Sequence, residues 1–123
     1  MKKYNKSIGF YGENIAKSIL ENNNHKIIET NFQTRSGEID IISIYTNILV
    51  FTEVKTRFNS NFGLPCESIS KSKIKNIIKL ANYYIHINNY NNFFIRFDVI
   101  EILLSPNSTQ HKSNYIPDAF RAN

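Results

Sequence analysis

The sequence predicts an α/β fold: a mixed β-sheet with a hairpin at its centre, flanked by helices. Apolar residues recur at helical spacing over residues 8 to 20 and again over 70 to 87. Between them lie EIDIISIY and ILVFTEVKT, both rich in Ile, Val, Phe and Thr. Thr46-Asn47 is the turn that joins these two segments, so the pair reads as a β-hairpin.

Taken in order, the first helix carries Ile8, Tyr11, Ile15, Ala16, Ile19 and Leu20 on one stripe, and the turn Asn22-Asn23-Asn24 stops it. HKIIETNF is a short β-prone run. QTRSG is a polar loop whose Gly37 opens the hairpin. After the hairpin, FNSNFGLPCES forms a loop with Gly63 and Pro65, and Ser70 is placed to cap a second helix ending near Ile87. Its stripe is Ile74, Ile77, Ile78, Ala81, Tyr84 and Ile85. FFIRFDVIEILL is a further strand, and SPNSTQHKSNYIPDAFRAN reads as a loop with a last element of unassigned type. With no internal repeat and no linker, residues 1–123 are expected to form one domain.

A chain of 123 residues can bury a core without staples, and its single cysteine, Cys66, has no internal disulfide partner. A reducing, cytoplasmic setting is expected. No apolar run approaches the roughly 18 residues of a membrane span, and the basic start MKKYNK leads into no apolar leader segment. Fifteen Lys and Arg against ten Asp and Glu leave a formal charge of +5, which favours an anionic partner, nucleic acid first.

The hairpin carries four charges on otherwise apolar strands: Glu38, Asp40, Glu53 and Lys55. With the turn centred on Thr46-Asn47, Asp40 is expected opposite Glu53 and Glu38 opposite Lys55, all four on the face that also holds Ile42, Ile44, Leu49 and Phe51. Two ionised carboxylates about 5 Å apart at an effective dielectric of about 20 repel by roughly 3 kcal/mol. A raised pKa, a basic neighbour or a divalent cation relieves that repulsion. Hard oxygen donors with open water positions suit Mg2+ or Mn2+. Glu13, at the margin of the first helix's apolar stripe, is a candidate third ligand. Lys55 would orient a water and stabilise charge, or act as a base if its surroundings lower its pKa.

These residues resemble the PD-(D/E)XK nuclease superfamily, whose motif is an Asp on one strand and Glu-x-Lys on the next; here it reads Asp40, twelve residues, then Glu53-Val54-Lys55. The chain is more closely similar to the YraN family of small bacterial proteins. YGEN, GEIDII, FTEVKTR, FG followed by ESI, the K-x-K helix, RFDVI and the terminal DAF follow in the family's order over nearly the whole chain. The resemblance implies a restriction-endonuclease-like core and a nuclease role, with Asp40 and Glu53 as metal ligands, Lys55 as the catalytic lysine, and Glu13 matching the helix-one glutamate of the Holliday-junction-resolvase-like branch. The carbonyl of Val54 would complete the ligand set. Two departures bear on branch and substrate: Ile39 stands where the literal motif has Pro, and the second helix lacks Gln-x-x-x-Tyr.

The expected activity is therefore Mg2+-dependent hydrolysis of DNA phosphodiesters, with branched or recombination-intermediate DNA suggested by the resolvase-like arrangement and a homodimer able to cut opposing strands. Arg35, Thr56 and Arg57 flank the motif as candidate phosphate contacts, and Lys71, Lys75 and Lys79 form a basic ridge on the second helix. Glu38 is a supporting group, an ion-pair partner that holds Lys55. The other charged and aromatic residues have plainer readings. Arg96 and Asp98 form an ion pair, His25, His86 and His111 are structural or exposed, and Tyr83, Tyr84, Phe93 and Phe94 are read as core packing in preference to base-stacking rings. Two competing readings are a nucleic-acid-binding module without turnover on the same scaffold, and an interaction domain whose charged hairpin is an assembly surface.

Overall fold

The structure, a computed structural model, describes residues 2–58, 69–105 and 110–122, with side chains from Ile8 onward. Of the loop expected over 58–68, Phe58 is the last residue of a strand and 59–68, with Gly63, Pro65 and Cys66, lie outside the described residues. Helix α1 spans Lys2–Asn22, β1 Lys26–Thr34, β2 Gly37–Tyr45, β3 Ile48–Phe58, α2 Lys71–Asn88, β4 Phe94–Leu104 and β5 His111–Phe120. The strands form one sheet in chain order, antiparallel except for the parallel pair β3–β4, which α2 connects. This is the expected α/β sandwich on a mixed sheet, compatible with a restriction-endonuclease-like core.

Local chemistry sets the ends of both helices. Asn24 adopts a left-handed conformation at φ 70°, and the His25 N–H returns to the Leu20 carbonyl at 3.0 Å, closing α1. The asparagine run is thus a helix cap. Ser70 accepts from the Lys73 N–H at 3.1 Å to start α2, and Asn89 at φ 62° ends it.

The helices cover opposite faces of the sheet, each through its own core. Against α2 pack Ile42, Leu49, Phe51 and Phe97, meeting Ile77, Leu80, Ala81 and Tyr84. Against α1 pack Ile41, Ile100, Ile102 and Leu104, meeting Ala16 and Leu20. Covered on both faces and paired on both edges, β4 is buried from Phe97 to Leu104, which explains its nearly unbroken apolar run. Among the described residues no helix is long and apolar enough to cross a membrane.

One strand was not expected. HKSNYIPDAF pairs antiparallel with β4 as the edge strand β5, with a register shift between Phe97 and Val99 and Asp118 at φ 54°. Its side chains are mostly exposed, so it shows no apolar alternation, and Pro117 is tolerated at an edge.

Helix α1 comes unusually close to β3 at Gly12, where a Cβ would overlap the Thr56 side chain. Gly12→Ala is therefore expected to cost about 1–3 kcal/mol and to displace the neighbouring Glu13, read as a lower melting temperature in a thermal melt.

Candidate metal centre

The hairpin has the expected register, Ile42 opposite Phe51 and Ile44 opposite Leu49, but its paired rungs stop at Ile41 and Thr52. Beyond that point β2 pairs only with β1, where Glu38 lies opposite Gln33, so Glu38 does not face Lys55. The strands remain linked by one contact across the fork: the Val54 N–H donates to Asp40 Oδ2 at 2.8 Å.

Side-chain alternation breaks at the same place. Ile41 packs into the α1 core and Ile39 into the α2 core, whereas a regular strand would put both on one face. The break faces Asn31 of β1, which lies between the Thr30–Ile41 and Phe32–Ile39 pairs and adopts φ 55°. Its effect is to turn Asp40 towards α1. There a carboxylate oxygen from each of Glu13, Glu38 and Asp40 lies within 4.8 Å of the others. Asn31 Nδ2 donates to Glu13 Oε1 at 3.1 Å, so the residue at the break also orients the helix carboxylate. Asp40, Glu13 and Val54 line a cavity of about 470 Å3 with Ile8, Gly9, Thr56, Arg57 and Phe58.

Glu53 keeps the face of Phe51 and turns the other way, to an ion pair with Lys73 Nζ of α2 at 3.0 Å. The expectation that all four charges share one face is corrected on this point: the fork and the break at Asn31 divide them. Glu53 nevertheless acts on Asp40. Burial first, and then the charge of Glu53, push the Asp40 carboxyl up to about 8, against the pull of the Val54 hydrogen bond. Burial also raises Glu13, opposed by its bond to Asn31. Burial alone would lower Lys73, but its contact with Glu53 and the nearby Asp40 and Glu38 carry it above the usual lysine value.

Comparison with known proteins identifies the family of this chain. The model of the "Uncharacterised protein family UPF0102" matches residues 12–102, a span that takes in Glu13, Asp40, Glu53 and Lys55. The chain belongs to the UPF0102 family. A UPF0102 protein of Clostridium perfringens strain 13 is 53% identical over 98% of this chain and 99% of its own length. One from Clostridium botulinum strain Alaska E43 is 54% identical with the same coverage, and one from Caldanaerobacter subterraneus subsp. tengcongensis is 46% identical over 98% of this chain and 100% of its own length.

In this UPF0102 chain the other sequence-selected residues fall into two groups. Lys55, on the face of Glu53 by alternation, neighbours Glu101 of β4, and Arg57 binds Glu101 at 3.4 Å. Thr56 and Arg57 reach the carboxylate cavity. Arg35, Lys75 and Lys79 line a separate groove between the β1–β2 turn and α2, and Lys71 stands exposed at the start of α2. The donor chemistry of the Glu13, Glu38 and Asp40 cluster suits a divalent cation: the donors are all hard oxygens and three acids converge on one point.

Two contributors escaped the sequence reading. Lys73 was hidden among equivalent lysines; its position three residues after the capping Ser70 was the only signal. Asn31 carried none, because its role follows from a backbone irregularity. Arg96 and Asp98 do form an ion pair, at 2.8 Å, and His25 is structural. Tyr115 donates to Asp98 at 2.6 Å and so receives the His25 Nε2–H at 3.2 Å, leaving His25 Nδ1 to accept from the Ser43 hydroxyl at 2.8 Å. Burial lowers the His25 imidazole, in keeping with this neutral tautomer. Tyr84 is core as expected, but Tyr83 and Phe94 are exposed, 51% and 68%.

Proposed function

We propose that this protein is a metal-dependent endonuclease that hydrolyses DNA phosphodiester bonds. The observation that carries the reading is the convergence of Glu13, Glu38 and Asp40 oxygens within 4.8 Å at a point where Asp40 is also bonded to the strand carrying Glu53-Val54-Lys55. Asp40 and Glu13, with Glu53 and the Val54 carbonyl, would hold Mg2+ or Mn2+, which supplies Lewis-acid polarisation of a phosphate oxygen and a more acidic water. The Val54 N–H fixes the Asp40 carboxylate for that role. Lys55 orients the water and offsets developing negative charge, while Thr56 and Arg57, on the cavity wall, meet the phosphate backbone. Glu53, held by Lys73 on the α2 side of the sheet, would have to leave that contact and turn towards Asp40 to join them. The fold-level analogy makes branched DNA the first substrate to assay.

One observation favours a second reading, a nucleic-acid-binding module without turnover: Glu53 is already ion-paired with Lys73. A nicking assay on linear, supercoiled and four-way-junction DNA with Mg2+ or Mn2+ separates the two. Metal-dependent cleavage by wild type is expected, lowered about 100-fold or more by Asp40→Asn and by Lys55→Ala. Binding without cleavage on every substrate would leave the module.

A further inference from the structure

We infer that the groove between α2 and the β1–β2 turn is a track for a single strand of nucleic acid, with Tyr83 stacking a base and Arg35, Lys75 and Lys79 contacting its phosphates. The inference rests on the nucleic-acid half of the proposed function and is independent of turnover.

The groove is built rather than incidental. Its floor is pinned where Asn76 Nδ2 donates to the Ser36 carbonyl at 2.8 Å, holding the turn against the helix. Two cavities run along it and share Ser36 and Lys79: one of about 550 Å3 takes in Lys73 and Lys75, and one of about 320 Å3 takes in Arg35 and Tyr83. The first begins at the lysine that pairs with Glu53, so the track leads away from the carboxylate end of the sheet.

Its chemistry changes along its length. Lys75, Lys79 and Tyr83 follow at four-residue spacing, which stacks them on one helix flank over about 12 Å. Cations come first and an aromatic ring ends the row. Tyr83 is half exposed while its neighbour Tyr84 is buried at 3%, and the Phe32 ring backs it at 6.3 Å with the planes 31° apart. A ring supported from behind, open to solvent and flanked by Arg35 and Lys79 offers a π face beside two phosphate-binding charges. In a duplex the base faces are occupied by stacking; only an unpaired strand presents one to such a ring. The net charge of +5 fits the same occupant.

The test is fluorescence anisotropy of a labelled oligo-dT and of a blunt hairpin duplex of equal length, without divalent metal, in wild type and in Asp40→Asn. Both proteins are expected to prefer the single strand. Tyr83→Ala should weaken oligo-dT binding roughly 5- to 100-fold, with little effect on the duplex and no change in melting temperature, and Tyr83→Phe should retain it. Lys79→Gln should weaken binding and reduce the salt slope by about 0.7. Wild-type affinity in Tyr83→Ala, an equal loss for duplex and single strand, or no oligo-dT binding at low salt would overturn the inference. Preserved Tyr83-dependent binding beside absent cleavage would sink the nuclease reading and leave this one standing.

Discussion

Asp40→Asn is expected to make the metal-free protein more stable at pH 8 while removing the proposed cleavage activity. The unfolded Asp40 ionises near 3.8, but in the folded chain burial and the charge of Glu53 hold the proton to about 8. A raised folded-state pKa contributes stability that is complete below the unfolded value and lost as pH climbs through the folded one. Between about pH 4 and pH 8 the wild type therefore loses several kcal/mol of stability that the asparagine variant keeps. Asparagine retains an oxygen for the Val54 N–H. Thermal melts in chelator should show the variant's advantage near zero at pH 4 and more than about 10 °C at pH 8. Adding Mg2+ at pH 8 should raise the wild type and leave the variant unchanged. A stability gap that does not vary with pH would contradict this reading of the cluster.

Arg96→Met is expected to produce the largest loss of stability. Asp98 is fully buried and accepts four hydrogen bonds: Arg96 Nε and Nη2, each at 2.8 Å, the Tyr115 hydroxyl at 2.6 Å, and the Asp118 N–H at 3.0 Å. Arg96 is the cation in that set. Its removal leaves an ionised carboxylate in the interior with neutral donors only, a loss of about 3–5 kcal/mol. The damage should spread, because Tyr115 and Asp118 tie β5 to the sheet and Tyr115 carries the chain of bonds to His25 and Ser43. Urea denaturation checks the size, and amide exchange should show β5 opening first. The double variant Arg96→Met, Asp98→Leu should recover part of the loss.

The legibility of this fold in its sequence followed the strength of local signals. Both helices and the hairpin could be read because their apolar side chains repeat at 3.6 or 2 residues, and Ser70 and Thr46-Asn47 mark their ends with ordinary cap and turn chemistry. Strand β5 could not, since an exposed edge carries no apolar period and is held by the buried bonds of Asp98 instead. The candidate centre was legible as a set of acids, less so as an arrangement. Its register followed from the turn, but the handing of Asp40 to α1 and of Glu53 to α2 depends on Asn31 at φ 55°, a backbone choice that no side-chain pattern announces. Lys73 needed the placement of α2 before it could be told apart from its neighbours.

Asp40 and Glu13 are proposed to form an oxygen cage for a divalent cation. Anomalous diffraction from crystals soaked in Mn2+ tests it most directly. A manganese peak is expected bound by Asp40 and Glu13, with Glu53 drawn off Lys73. Carboxylates left as they are, with no peak beside Asp40 at millimolar Mn2+, would contradict it.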